Sequence, residues 1–233
     1  AENNRILTTL VAPAYIALAD AVFLLSGSGT HEGGLCELPS GGAYYLYLLR
    51  HNTGTSRTPE EIQVLLSDRF QLCYQNLQAL VETYREQTGN TSISLQDIPA
   101  FPFQDAQEVL ADLQQRIQTD FPPLDALTKT LPTCRTKAVA ESMEEFTSPA
   151  FYLTPPIDDM GDNVIYVNNA STSPGLELYT TLAHEGYPGH LYQTVYSQLY
   201  ENSRTKNPVR SALFYGGFVE GWAYYVENIS YGY

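Results

Sequence analysis

Apolar side chains recur at steps of three and four residues over much of the chain, the spacing that lines one face of an α-helix. The best-defined run follows Thr58-Pro-Glu-Glu61, where Thr58 suits an N-cap, Pro59 the first turn and Glu61 a capping box. We expect this helix to continue to about Glu86. Similar spacing predicts further helices over residues 4–25, 103–119, 175–203 and 209–229.

Between about Arg135 and Asn169 the helical spacing gives way to short segments rich in Tyr, Val and Ile. "AFYLTPP" and "NVIYVNN" are bounded by Pro, Gly and Asp, a pattern typical of β-strands. The pattern therefore predicts a mainly α-helical protein with a small β-sheet element in its second half. We assign residues 1–233 to a single domain, with a helical part over 1–134 and the sheet element and later helices over 135–233.

The charge of the chain excludes some classes of partner. Twelve basic and 26 acidic residues give a net charge of −14, and no cluster of Lys or Arg offsets it. A chain this acidic repels phosphate backbones and anionic lipids, so we expect no nucleic-acid partner. Pro13 and Asp20 interrupt the apolar N-terminal run, and we expect no membrane span there.

The three cysteines, Cys36, Cys73 and Cys134, lie far apart and form no CxxC pair. This spacing excludes a cysteine-based zinc knuckle. One disulfide with a free thiol, or three buried reduced thiols, both fit the sequence. The sequence does not predict the oligomeric state.

A candidate metal site begins at His184-Glu185 in the stretch "TLAHEGYPGH". Zinc peptidases commonly carry H-E-x-x-H, in which two histidines four residues apart share one helix face. Here His184 and His190 are six residues apart. In a regular helix His190 would lie about 240° around the axis from His184, on another face.

Pro188 offers one way to bring these histidines together. It has no N–H to donate to the carbonyl of His184, so a helix must kink or bulge at this turn. Gly186 and Gly189 would give the backbone the freedom for such a bulge. Alternatively, the Pro-Gly pair ends the helix and His190 belongs to the next element. Both interpretations remain open at this point.

A third metal ligand is available in "FVEGWAYYVE" further along the chain. Glu220 would complete a His2Glu site, and its apolar neighbours make a plain surface role less natural. Tyr224 and Glu227 share its helix face at spacings of four and seven residues. For Glu227, near the end of the chain, we expect a surface position.

Taken together, "HEGYPGH", "FVEGWAYYVE" and the upstream "ELPSGGAYYLYLLRHNTGTSRTPEEI" resemble the bacterial domain of unknown function 885 family. That family is grouped with gluzincin-type zinc metallopeptidases. The resemblance implies a helical zinc-peptidase-like domain with a small β-sheet element just before the helix that carries His184-Glu185. It implies Zn2+ as cofactor, with His184, His190 and Glu220 as ligands and Glu185 as general base.

The same resemblance implies further expectations about substrate and setting. The strand Val164–Asn168 is similar to the edge strand along which such peptidases align an extended peptide, so Tyr166, Asn168 and Tyr224 are candidate substrate contacts. Family members usually continue with more helices, so we expect the chain to be a fragment of a longer protein. They are often exported or lipid-anchored, which favours an extracytoplasmic location.

The leading hypothesis is a zinc-dependent, metallopeptidase-like hydrolase that cleaves peptide bonds with a metal-activated water. The alternative is a non-catalytic helical domain that binds peptides or cell-wall fragments, with a structural or lost metal site. The substitution Glu185→Gln separates the two hypotheses. The hydrolase should lose its turnover, whereas the binding domain shows no turnover in either form and keeps its ligand binding.

Overall fold

A computed structural model describes residues 2–30, 32–91, 101–156, 159–204, 209 and 213–233. Its contacts divide the chain into two compact units, residues 1–48 and 49–233. Each unit is described by itself. The prediction of one domain over residues 1–233 stays a prediction.

The first unit contains a continuous helix, α1 (Glu2–Leu24). Five of its residues, Leu7–Val11, are π-helical. Pro13 does not interrupt the helix, in agreement with the helix predicted over residues 4–25. Proline is tolerated there because it falls in the first turn of the α-helical segment that follows the π-helical one. By length and composition α1 could cross a membrane, but a core helix or a signal sequence meets the same criterion. The absence of a membrane span therefore stays a prediction.

Helix α2 (Gly41–Thr53) runs from the first unit into the second, and α3 (Pro59–Thr88) follows it. The predicted capping box of α3 is confirmed: the Glu61 N–H donates to Thr58 Oγ1 at 3.2 Å, and the Thr58 N–H donates to Glu61 Oε2 at 2.8 Å. Gly89 ends the helix with a φ of 73°, a left-handed conformation that glycine adopts without strain.

Helix α4 (Ala106–Asp120) carries one side of the core of the second unit. The side chain of Asp105 caps it by accepting from the N–H groups of Gln107 and Glu108. Its inward residues recur at helical spacing and are buried: Val109, Leu110, Leu113 and Ile117. The segment predicted over residues 103–119 is thus a helix that begins three residues later.

Three strands form the predicted small sheet: β1 (Thr133–Ala138), β2 (Ala150–Leu153) and β3 (Asp162–Val167). The strand order is β1-β3-β2, with β1 parallel and β2 antiparallel to β3. β3 is therefore the central strand, and the prediction that Val164–Asn168 is an edge strand is wrong. The sequence pattern also missed β1, whose first two residues lie in the part predicted to be helical.

In the described part of the chain three helices follow the sheet: α5 (Leu176–Glu185), α6 (His190–Arg204) and α7 (Gly216–Ser230). Buried side chains of α5 and α6 join those of α4 and β3 in one hydrophobic cluster that includes Ile165, Leu182, Tyr187 and Leu191, and Trp222 of α7 packs against it. A mainly α-helical fold with a small sheet just before the His184-Glu185 helix is confirmed. The candidate site lies where α5, α6 and α7 meet.

The cysteines form no disulfide in this structure. Cys36 and Cys73 are exposed, and Cys134 on β1 is partly buried. The structure therefore has three free thiols, but the alternative in which all three are buried is wrong for Cys36 and Cys73.

Candidate metal centre

The helix that carries His184 ends directly after it. α5 ends at Glu185, and α6 begins at His190. Gly186 between them has φ −107° and ψ −103°, outside any helical conformation, and the Tyr187–Pro188 peptide is cis. The bulged continuous helix is therefore wrong, and the alternative in which Pro-Gly ends the helix is correct. The two histidines converge nevertheless, because the break turns the chain so that the first residue of α6 faces the last turn of α5.

Close backbone packing explains why glycine flanks this break. A Cβ on Gly189 would collide with the carbonyl oxygens of His184 and Ala183. A Cβ on Gly186 would lie 2.7 Å from Leu110 Cδ2 and 2.8 Å from the Leu182 carbonyl oxygen. The glycines thus permit a close approach, a role different from the flexibility assigned to them from the sequence.

Helix α7 is joined to the break by the only tryptophan of the chain. The indole N–H of Trp222 donates to the Pro188 carbonyl oxygen at 2.7 Å. Trp222 lies two residues after Glu220, so this bond fixes the height of Glu220 relative to the histidines. The sequence analysis used Trp222 only as an apolar neighbour and missed this contact.

The three predicted ligands come together. His184 Nε2 lies 3.6 Å from Glu220 Oε2, and His190 Nε2 lies 3.5 Å from the same oxygen. The three donor atoms lie within 4.8 Å of one another. The imidazole planes are nearly perpendicular, at 87°, with ring centroids 4.8 Å apart. Among the described residues this is the one group of three or more His, Cys, Asp or Glu side chains arranged to hold a metal ion.

Glu220 differs in one respect from its sequence interpretation. Its side chain is 62% exposed, and neighbouring Phe218 is exposed as well. Apolar neighbours were therefore a poor reason to select Glu220, although its position beside both histidines agrees with the selection. In the described part of the chain its carboxylate faces the two imidazoles and open space.

Glu185 lies on the sheet side of the cluster. One of its oxygens, Oε2, accepts a hydrogen bond from the Tyr152 backbone N–H of β2 at 2.8 Å. Burial raises the pKa of Glu185, and the hydrogen bond from Tyr152 and the neighbouring His184 oppose this rise. The carboxylate is held in place and is more basic than an exposed glutamate.

The two histidines differ in their second ring nitrogen. His184 Nδ1 lies 3.0 Å from Glu227 Oε2, whereas His190 Nδ1 is buried and has no hydrogen-bond partner among the described residues. Burial lowers the pKa of His190, which favours the neutral imidazole that a metal requires. The predicted surface position of Glu227 is wrong, since its side chain is only 29% exposed and contacts His184. The seven-residue spacing from Glu220 was the signal that could have found it.

Two candidate substrate contacts, Tyr166 and Asn168, lie on β3 and directly after it. Asn168 is fully buried, its amide donates to the carbonyl oxygens of Glu144 and Thr147, and its oxygen accepts from the Ala170 N–H. These hydrogen bonds hold the loop around Asn168 and leave its side chain buried, so the prediction that Asn168 contacts the substrate is corrected. Tyr166 stacks on Phe151 with ring centroids 5.1 Å apart.

Tyr224 is exposed on α7, one turn after Glu220. Its role and that of Tyr166 as substrate contacts stay predictions.

The two sheet edges are β1 and β2. The outer edge of β1 is occupied by the Gln107 side chain, which accepts from the Thr136 N–H and donates to the Cys134 carbonyl oxygen, both at 3.3 Å. The Tyr152 N–H of β2 points away from β3, toward Glu185. The edge strand beside the candidate metal centre is therefore β2.

Comparison with known proteins places this chain in a family. The family described as "Bacterial protein of unknown function (DUF885)" matches residues 1–232. No curated protein matches the chain significantly. A crystal structure of a candidate lipoprotein from Colwellia psychrerythraea is similar in fold, with 20% sequence identity and a TM-score of 0.63. The similarity covers 97% of this chain and 40% of that one, so this chain spans less than half the length of its structural relative.

Proposed function

This chain belongs to the DUF885 family of bacterial proteins, and we propose that it is a zinc-dependent, metallopeptidase-like hydrolase. His184, His190 and Glu220 would hold Zn2+, and Glu185 would act as general base. The observation that carries the proposal is the convergence of these three donor atoms on one point.

The donor set suits zinc in chemistry and in spacing. Two imidazole nitrogens and one carboxylate oxygen are the ligands of a catalytic His2Glu site with one position open. Zinc bonds of about 2.0–2.1 Å at tetrahedral angles place neighbouring donor atoms about 3.4 Å apart. The two nitrogen–oxygen separations here are 3.6 and 3.5 Å. The third pair, the two imidazole nitrogens, lies within 4.8 Å. The nitrogen–oxygen pairs therefore already have nearly the separation that zinc requires, and turning of the imidazole rings would adjust the third.

When bound, Zn2+ supplies a Lewis acid that polarises a carbonyl group and lowers the pKa of a water molecule to about 7. Glu185 would accept the proton of the attacking water and deliver it to the leaving nitrogen. Its raised pKa suits both steps, because a more basic carboxylate accepts a proton more readily near neutral pH. The second oxygen of Glu185 makes no hydrogen bond in the described part of the chain and is available for that proton.

A peptide is the substrate class that the sheet favours. β2 is the edge strand beside Glu185, to which its Tyr152 N–H donates, and an extended peptide adds to a sheet edge through backbone hydrogen bonds. β1, the other edge strand, is bonded to the Gln107 side chain of α4. This moves the proposed peptide track from β3 to β2.

A comparison of wild-type protein with Glu185→Gln tests the function. We expect wild-type protein loaded with Zn2+ to cleave peptides from a mixed library. Glu185→Gln should lose the cleavage by about 100-fold or more while retaining zinc, because general-base catalysis contributes factors of this size. Cleavage that survives the substitution would contradict the mechanism.

The non-catalytic alternative gives a different result in the same experiment. It predicts zinc and peptide binding in both proteins and turnover in neither. Detection of peptide binding by fluorescence anisotropy, alongside product analysis, distinguishes the two outcomes.

An extracytoplasmic location is part of the proposal. It is supported by the description of the Colwellia psychrerythraea relative as a candidate lipoprotein and by the apolar helix α1, which resembles an export signal in composition. Fractionation of cells that express the full-length protein tests it, and recovery from the cytosol alone would contradict it.

A further inference from the structure

We propose that Glu227 is a positioning residue for His184: it holds the imidazole in the orientation and tautomer that direct Nε2 toward the metal. The inference rests on the proposed zinc site but concerns a residue outside the ligand set. From the sequence, its place near the end of the chain had suggested a surface position.

The contact is built by the fold of α7. Glu220 and Glu227 are seven residues apart on this helix and therefore lie on one face, two turns apart. Glu220 reaches the Nε2 side of His184 at 3.6 Å, and Glu227 reaches the Nδ1 side at 3.0 Å. A single helix thus contacts both nitrogens of one imidazole ring.

A carboxylate at Nδ1 decides which nitrogen carries the hydrogen of a neutral imidazole. An ionised carboxylate only accepts hydrogen bonds, so Nδ1 must be the donor. Nε2 then keeps its lone pair, and this nitrogen faces Glu220 and His190. Such carboxylate–histidine contacts also raise the basicity of the ligand and fix the ring orientation.

The position of Glu227 is fixed by its partial burial and by the anchoring of its helix turn. Its side chain is 29% exposed, which shields the contact with His184 from water more than a surface pair would be shielded. Its backbone carbonyl accepts from the buried Ser230 hydroxyl at 2.7 Å, and adjacent Val226 is fully buried. The helix turn beneath Glu227 is therefore anchored in the core.

His190 provides an internal contrast. Its Nδ1 is buried without a hydrogen-bond partner among the described residues, so no carboxylate holds this ring from the Nδ1 side. The site has one histidine oriented by a carboxylate and one oriented by its surroundings. Loss of Glu227 should therefore impair the His184 half of the site specifically.

The test measures metal affinity rather than hydrolysis. The zinc dissociation constant of the purified protein is determined by competition with a chelator of known affinity, for wild type, Glu227→Ala, Glu227→Gln and Asn228→Ala. Asn228 is the matched control, because it is adjacent on the same helix, is exposed and hydrogen-bonds only to the carbonyl oxygen of Tyr224.

We expect Glu227→Ala to weaken zinc binding by about 10–100-fold, the usual cost of losing such a partner. Glu227→Gln should weaken it less, because its amide oxygen still accepts from Nδ1–H but carries no charge. Asn228→Ala should bind zinc as wild type does. The visible absorption spectrum of the cobalt(II)-loaded protein should change in Glu227→Ala and remain unchanged in the control.

Wild-type affinity and a wild-type cobalt spectrum in Glu227→Ala would overturn the positioning role while leaving the zinc site intact. If Glu227→Ala does not fold, Glu227→Met decides, because it keeps the length of the side chain without an acceptor for Nδ1–H, and wild-type affinity in that variant has the same meaning. Failure of the wild-type protein to bind zinc would overturn the proposed function and this inference together. The two failures are therefore distinguishable.

Discussion

At the scale of single residues, the candidate site depends on glycines as much as on its ligands. His184 and His190 meet because the chain folds back within five intervening residues, and Gly189 lies against the carbonyl oxygen of His184. The Trp222 indole and the Pro188 carbonyl then tie this turn to α7. The ligand geometry is a consequence of backbone packing that only residues without a Cβ allow.

Gly189→Ala tests this dependence. The added methyl group has no space, so the free energy of unfolding should fall by about 1–3 kcal/mol, the usual cost of overpacking, and zinc affinity should fall with it. Urea denaturation measures the first effect and chelator competition the second.

Gly221→Ala on α7 is the control, because nothing lies within 4 Å of its added methyl group. Alanine favours a helix over glycine by about 0.5–1 kcal/mol, so this variant should be slightly more stable than wild type. Equal stability of Gly189→Ala and wild type would contradict the packing argument.

Thiol reactivity separates the three cysteines. Burial raises the pKa of Cys134 to about 12, so at pH 8 its thiol stays protonated and unreactive. Cys36 and Cys73 are exposed. We expect a thiol reagent at pH 8 to modify two sites rapidly in the native protein and the third only after unfolding.

Cys134→Ala is the matched variant for that experiment. It should keep both rapidly modified thiols and lose only the one exposed by denaturant. Rapid modification of three thiols in the native wild-type protein would show that Cys134 is accessible.

At the scale of elements, α5 positions the site through its buried face. Leu182 is fully buried in the cluster that joins α4, β3 and α5, and its carbonyl oxygen accepts from the Gly186 N–H at the helix end. Leu182→Ala should lower the free energy of unfolding by about 2–5 kcal/mol, because it leaves a cavity in this cluster.

Leu176→Ala serves as the comparison on the same helix. Leu176 is exposed at the first turn of α5, so its truncation should change stability by no more than about 0.5 kcal/mol. Denaturant titrations of both variants provide the measurement. Similar losses in the two would contradict the assignment of the buried face.

The elements also show which features a sequence pattern can predict. The start of α3 depends only on local sequence, because the two hydrogen bonds of its capping box join residues three positions apart. It was predicted correctly. β1 was missed because its residues, "TCRTKA", are mostly polar. β3 was taken for an edge strand from the family resemblance, and no local pattern corrects this, because its pairing with β1 joins residues about 29 positions apart.

The site was partly predictable for a similar reason. His184, His190, Glu185 and Glu220 were identified by residue type and spacing, and the structure brings the three proposed ligands together. How they come together was not predicted, since the break at Gly186 depends on contacts with Leu110 and Ile165 in other elements. Glu227 was misplaced because its exposure depends on the packing of α7 against α5.

At the scale of the whole molecule, the net charge of −14 bears on the substrate. A strongly acidic protein attracts cationic ligands at long range and repels anionic ones. For two peptides that differ only in charge, we expect a higher kcat/KM for the cationic one at low ionic strength. The ratio should shrink as salt shortens the Debye length to about 10 Å at 0.1 M.

A neutral peptide of the same length is the reference for that series. Its kcat/KM should depend little on salt. If the preference for the cationic peptide persists unchanged at high salt, it arises from a specific contact near the site, and the overall charge does not explain it.

The central claim is that His184, His190 and Glu220 bind one zinc ion together. Anomalous diffraction at the zinc edge from crystals of the zinc-loaded protein tests it most directly. We predict a single strong peak about 2.0–2.2 Å from His184 Nε2, His190 Nε2 and a Glu220 oxygen. A zinc-loaded crystal with no peak there, or with a peak bonded to fewer than these three side chains, would contradict the account.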